Sequence, residues 1–216
     1  MVVLMSTLQI ETLALGPAAT NCYLLWGESR QALVIDPGFE AGRILDAIRQ
    51  NKLTVAAYPL THAHFDHVGA LAEVVPAHTA PIGLHDADVS VAFSPLNQFP
   101  PYYPPLSTGV EFDRSLEEGQ VWEEAGLSYR VLHTPGHSPG GVCFYFESEG
   151  LLIGGDCLFA GSIGRTDLPG GDLNILMKSL ERIIRFPDET RVLPGHGPET
   201  TVGREKESNP FLREIV

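Results

Sequence analysis

Four groups able to bind a metal ion fall within six residues of one another in Thr61-His62-Ala63-His64-Phe65-Asp66-His67. An apolar run over residues 55–60 leads straight into the block, so it sits where a strand ends and a loop begins. A strand end followed by a loop can turn alternate side chains toward one point, which lets His62 and His64 share a metal. Asp66 and His67, on the turn into a helix expected over residues 68–75, reach a second metal nearby. Neutral imidazole and carboxylate suit zinc, iron or manganese, and no thiolate is needed. The competing reading, solvated loop residues or satisfied core groups, suits a lone histidine. It fails for a cluster, because each group would be costly to bury unpaired.

Two metals need more than four ligands, and three further positions can supply them. His137 lies in Pro135-Gly136-His137-Ser138-Pro139-Gly140-Gly141 between two strand-like runs, Asp156 in Gly154-Gly155-Asp156 at a strand end, and His196 in Pro194-Gly195-His196-Gly197 at another. All three repeat one pattern: a strand, a glycine that lets the backbone turn or approach closely, then a potential ligand. His78 and His85 lack that context, and His133 lies in the strand before its glycine turn, so these three stay outside the expected site.

The remaining pattern predicts two packed sheets. Residues 8–15, 22–26 and 32–35 are short apolar runs bounded by Gly, Pro and Asn, and residues 40–50 carry Ile44, Leu45 and Ile48 on one helical stripe. Residues 121–124, 127–133, 142–146 and 151–153 read as strands. Residues 172–185 read as a helix burying Leu173, Leu176, Met177, Leu180 and Ile184, and residues 190–193 as a last strand. That order suggests two sheets face to face with helices outside. No linker divides the halves, so residues 1–216 read as one domain. Prolines at 95, 100, 101, 104 and 105 break the pattern from residue 92 to 105. With Phe99, Tyr102 and Tyr103, this stretch is either a loop bordering the cleft or a rigid edge packed on the domain.

Composition narrows the partners. Lys and Arg total 14 against 27 Asp and Glu, a formal charge of -13 that repels phosphate backbones and anionic lipid. No apolar run approaches the roughly 20 residues of a membrane span. Met1-Val2-Val3-Leu4-Met5 lacks a basic leader and a small-residue cleavage site, so a cytoplasmic protein without a signal peptide is expected. Cys22, Cys143 and Cys157 are odd in number and widely spaced, which predicts buried thiols rather than a disulfide framework.

The block from Thr61 to His67, followed in order by His137, Asp156 and His196 at strand ends, resembles the metallo-β-lactamase superfamily over essentially the whole chain. The resemblance implies an α/β fold, a four-layer αββα sandwich with a metal cleft along one edge of the two sheets. It implies that His62, His64 and His137 hold one divalent ion, that Asp66, His67 and His196 hold a second, and that Asp156 bridges them. Asp36, in Val34-Ile35-Asp36-Pro37-Gly38, matches a position that orients a ligand from behind. Zinc is the expected metal, with iron or manganese as alternatives.

The stretch Gly161-Ser162-Ile163-Gly164-Arg165-Thr166-Asp167-Leu168-Pro169-Gly170-Gly171-Asp172 and the ending from Gly203 to Leu212 resemble the compact bacterial glyoxalase II (hydroxyacylglutathione hydrolase) group. That resemblance implies a thioesterase cleaving lactoylglutathione-type thioesters with a metal-bridging hydroxide, which Asp66 orients. A thiolate, with a thiol pKa near ~8.5, leaves without a dedicated general acid. Longer members bind glutathione with an added C-terminal helical region. Only 20 residues follow His196 (216 minus 196), so that region is not expected here. Arg165 matches a basic position that binds a glutathione carboxylate, but Asp167 stands where those enzymes carry a tyrosine, and the pair also reads as a structural clamp. Tyr102 and Tyr103 are further candidates for substrate contact. The alternative is a persulfide dioxygenase, whose Gly-Arg-Thr-Asp stretch is similar and whose single iron His62, His137 and Asp156 could hold. Lactonase and β-lactamase activities are lesser alternatives. Nucleic-acid processing lacks a basic surface and an extra domain, and a closed metal scaffold has no need of glycine-rich approaches.

Overall fold

In the computed structural model, which describes residues 8–97, 110–213 and 215, the apolar runs assemble into two six-stranded sheets. The first is ordered β1 (Gln9–Leu15), β2 (Thr20–Trp26), β3 (Gln31–Ile35), β4 (Thr54–Pro59), β5 (Ile82–Leu84) and β6 (Arg114–Ser115). β1, β2 and β3 pair antiparallel, and β3 to β6 pair parallel. Parallel pairing needs crossovers. α1 (Ala41–Gln50) supplies the first; α2 (Phe65–Val68) and α3 (Leu71–Ala77) the second; the third contains α4 (Asp86–Ala92).

The second half begins with β7 (Val121–Glu124), β8 (Leu127–His133), β9 (Val142–Phe146) and β10 (Leu151–Gly155). A separate hairpin of β11 (Leu158–Phe159) and β12 (Ser162–Ile163) follows, then α5 (Leu173–Ile183), β13 (Arg191–Pro194), β14 (Thr200–Thr201) and α6 (Val202–Ser208). The second sheet runs β14-β13-β10-β9-β8-β7, with β13 parallel to β10 across the α5 crossover.

Alternation along each strand sorts side chains between layers. On β2, Tyr23 and Leu25 join Tyr129, Phe144, Phe146 and Ile153 of the second sheet. Leu24 and Trp26 face the other way, toward Ile44 and Ile48 of α1 and Leu71 and Val74 of α3. On the far side, Cys143 and Leu152 pack with Leu176, Leu180 and Ile183 of α5. Three apolar layers between helices, sheet, sheet and helices give the αββα sandwich that was expected. Because both faces are covered, β2 and β3 read as continuous apolar runs instead of alternating ones.

Several details differ from expectation. The helix expected over residues 68–75 starts earlier and breaks in two, because Ala70 N–H turns aside to donate to Pro37 O at 3.0 Å. Leu173, expected to be buried, is 51% exposed. It opens α5, whose buried face starts one turn later, at Leu176. β5, α4 and β6 were not expected; they are too short for a periodic signal. Phe99, Tyr102 and Tyr103 lie outside the described residues. Cys22, Cys143 and Cys157 are buried and free, as anticipated. Among the described residues no helix is long and apolar enough to cross a membrane.

The edge that matters is where strand ends from both sheets meet. Val142 N–H donates to Thr61 O at 2.8 Å and Asn21 N–H to Gly195 O at 2.7 Å, each bond linking one sheet's strand or loop to the other's. Asp36, the Thr61–His67 block, Asp156 and His196 all follow strands that end there.

Candidate metal centre

Seven sequence-predicted ligands converge at this edge. His62, His64 and His137 present ligand atoms within 4.8 Å of one another, as do His62, His67 and Asp156, and Asp66, His67 and His196. These three clusters overlap through His62 and His67. The Asp156 carboxylate lies between the flanking groups, 3.4 Å from both His67 Nε2 and His137 Nε2 and 3.5 Å from His196 Nε2. His62 shares one group with His137 and another with Asp156. His85 and His133 stack on each other, ring centroids 4.1 Å apart, away from all three groups.

The ring tautomers are set from behind. His67 Nδ1 donates to Asp36 Oδ2 at 2.9 Å, His137 Nδ1 to Arg165 O at 2.7 Å, and His196 Nδ1 to Ala18 O at 3.1 Å. Each bond leaves Nε2 facing the centre, the arrangement that metal-binding histidines use. Asp36 also accepts from Thr61 N–H at 2.8 Å and Thr61 Oγ1–H at 2.6 Å, so one buried carboxylate aligns the whole block. Its φ is +53°, a strained conformation that aspartate tolerates and that aims the carboxylate back under the loop. Thr20 Oγ1–H donates to Asp66 Oδ2 at 2.9 Å and fixes that carboxylate likewise.

The donor set fits cations. His62 Nε2, His67 Nε2 and Asp156 Oδ1 are buried without a hydrogen-bond partner, a costly arrangement for polar atoms unless something else satisfies them. His64 Nδ1 and His137 Nε2 are 2.8 Å apart and aimed at the same point. Burial, then the neighbouring imidazoles, push His62 well below the ordinary histidine range, and burial with His137 pushes His64 down to about 4. Both therefore carry free lone pairs at neutral pH. Burial opposes protonation of His67 and His196 too, but there the carboxylates win. Asp66, Asp156 and Asp36 raise His67, and Asp156 and Asp66 raise His196 to about 9. Asp66 is itself held down to about 2, where His67 and His196 outweigh the cost of burial.

Glycines let the ligand loops close. A Cβ on Gly195 would collide with Asp156 Oδ1 and His67 Cε1, and one on Gly136, whose φ is +128°, with the backbone of Leu176.

Two buried residues that brace the site were not anticipated. Asp88, on α4, accepts from Ala63 N–H at 2.9 Å and Gly140 N–H at 2.5 Å, tying the His62–His64 loop to the His137 loop. Asn97 accepts from Phe65 N–H at 2.8 Å and donates to Ala63 O at 2.7 Å. Asp88 lies in a stretch where no element was expected and Asn97 in the proline-broken loop; neither carries a signal of its partners in the sequence. Arg165 borders the cleft beside the centre, and its guanidinium is paired with Asp167.

A family model for the metallo-beta-lactamase superfamily matches residues 15–196, and the chain belongs to that superfamily of metal-dependent hydrolases acting on small molecules. Among its relatives is a probable metallo-hydrolase, YqgX, of Bacillus subtilis, 42% identical over 205 residues that cover 91% of this chain and 94% of the relative. Hydroxyacylglutathione hydrolase GloC of Haemophilus influenzae is 35% identical over 208 residues, 95% and 98% of the two chains. The solved structure of BLEG-1 B3 metallo-beta-lactamase superposes with a TM-score of 0.89 at 39% identity, covering 94% of this chain and 99% of that one. TTHA1623 in a di-iron-bound form gives 0.84 at 42% identity, covering 94% and 100%. ETHE1 from Myxococcus xanthus gives 0.77 at 27% identity, covering 94% and 83%.

Proposed function

We propose that the protein is a glyoxalase II-like thioesterase with a binuclear metal centre, acting on lactoylglutathione-type thioesters. The observation that carries this reading is the meeting of seven imidazole and carboxylate groups in three overlapping clusters. One tetrahedral ion takes about four donors, so seven suit a pair. In this reading His62, His64 and His137 would hold one ion, Asp66, His67 and His196 the other, and Asp156 would serve both. When bound, two divalent cations lower the pKa of a coordinated water toward neutrality and polarise an acyl carbonyl. The chain's own part is positioning. Thr20 holds Asp66 so that its ionised carboxylate can accept a hydrogen bond from the attacking water, and Asp36 and Arg165 O keep His67 and His137 in register. A thiolate leaving group, with a thiol pKa near ~8.5, needs no protonation.

Similarity to GloC supports the thioester substrate, and similarity to the di-iron form of TTHA1623 supports two ions, with iron beside zinc as the metal. The test is elemental analysis of loaded protein together with turnover of lactoyl thioesters, a persulfide and a β-lactam, the last because of the BLEG-1 likeness. About two ions per chain and thioester cleavage are expected. One iron per chain and oxygen consumption with the persulfide would instead favour the dioxygenase built on His62, His137 and Asp156.

A further inference from the structure

The cleft opening onto the metal centre has a volume of ≈ 660 Å³. Beyond the candidate ligands and Arg165 its walls are apolar or neutral, among them Phe65, Val91, Leu96 and Leu168, with the hydroxyls of Ser90 and Ser94. Arg165 is the one cationic lysine or arginine among its described lining residues. All 14 lysines and arginines of the chain lie in described segments, and residues 98–109 contain none, so no further cation of that kind joins the wall from elsewhere.

That single guanidinium is already engaged. Arg165 Nε donates to Asp167 Oδ1 at 2.7 Å and Nη2 to Asp167 Oδ2 at 2.8 Å, a fork-on-fork pair that uses both carboxylate oxygens. The partners are two residues apart, so little chain entropy is lost in closing the pair. The Arg165 backbone is held as well, since its carbonyl is the acceptor that fixes His137 at 2.7 Å. The mouth of the cleft is thus neutralised from within, on a chain of formal charge -13 that repels anions at longer range.

We propose that Asp167 is a specificity-determining residue: by occupying Arg165 it directs the cleft toward thioesters whose thiol arm carries no carboxylate. This rests on the thioesterase reading and qualifies its substrate: glutathione carries two carboxylates on the thiol arm, so lactoylglutathione is accepted but not favoured over thioesters of neutral thiols. A carboxylate-ended arm meets a satisfied fork and must displace Asp167, whereas an amide-ended arm has no such competitor. Both members of the pair are well exposed, with side chains 62% and 69% accessible. Exposed pairs are weak, so the discrimination attributable to Asp167 is on the order of five-fold rather than hundreds.

The experiment uses two thiol arms of equal shape, mercaptopropionate and mercaptopropionamide. Each is presented to the metal-loaded protein first as an uncleavable thioether and then as the lactoyl thioester. Calorimetry should show tighter binding of the amide thioether to the wild type. Asp167→Asn should tighten the carboxylate thioether about five-fold and leave the amide unchanged. That gain should disappear in the Arg165→Gln, Asp167→Asn double variant and shrink at high salt. A wild type that prefers the carboxylate arm, or a ratio that Asp167→Asn does not move, overturns the proposal. Thioether binding as expected with neither thioester cleaved would overturn the thioesterase reading and leave the preference for a neutral arm standing.

Discussion

In the proposed function Asp156 should matter to chemistry far more than to folding. Its two oxygens lie within 3.5 Å of His67, His137 and His196, yet it belongs to none of the apolar clusters that hold the layers together. Asp156→Ala should therefore cost at least about a hundredfold in turnover and leave metal content low, while the metal-free variant still folds, losing only the stability that this carboxylate gives to protonated His67 and His196. Metal analysis and thermal unfolding after chelation measure the two sides, and near-normal turnover would remove Asp156 from the bridging role. Asp36 acts one layer back. Replacing it by Asn leaves a carbonyl for Thr61 but cannot accept equally from Thr61 N–H, Thr61 Oγ1–H and His67 Nδ1–H. Metal affinity should fall by about 10- to 100-fold, seen in competition with a chromophoric chelator, and rescue is not expected from Asp36→Glu, whose longer arm does not fit beneath Thr61.

Short elements carry what sequence periodicity cannot. The strands bearing Asp36, His62, Asp156 and His196 were legible because each is an apolar run closed by Gly, Pro or a ligand, and local chemistry of that kind survives in any context. The layers followed from the order of those runs. α4 was not legible: seven residues, Asp86–Ala92, give fewer than two turns of pattern. Asp88's partners, Ala63 and Gly140, lie 25 and 52 residues away, so nothing near it in the chain announces its task. The break between α2 and α3 was equally hidden, since it depends on Pro37 O capturing Ala70 N–H across the fold. Asp88 yields the prediction proper to this scale. Asp88→Ala strands two buried N–H donors on separate ligand loops, which should destabilise the metal-free protein by about 2–4 kcal/mol in urea unfolding. Metal affinity should fall with it, because both loops lose their common anchor. Unchanged affinity in a destabilised protein would show that the loops are set without α4.

Across the whole molecule, the stability of the metal-free fold and the affinity of the proposed site for metal should respond to pH in opposite directions. The three apolar layers need no ion, so chelated protein should stay folded, with protons standing where cations would sit. At pH 7 those protons are on His67, which is raised, and on His196, raised to about 9, while His62 and His64 are lowered and neutral. A group whose folded pKa is raised stabilises the fold fully below its unfolded value, about 6.5 for histidine, and loses that contribution as pH climbs through the folded value. Chelated wild type should accordingly lose stability between pH 6.5 and about 9 more steeply than chelated His196→Gln does. Metal binding runs the other way, since each ion must displace the proton its ligand holds. Loading at pH 7 should release about two protons per chain from His67 and His196, with up to about one more from a coordinated water, measurable by calorimetry in buffers of different ionisation enthalpy, and affinity should rise toward pH 9. If loading releases almost no protons at pH 7, His67 and His196 are not the groups that exchange protons for metal. That outcome would show that both rings are already neutral in the metal-free protein, and their place as ligands would rest on the geometry of the cluster.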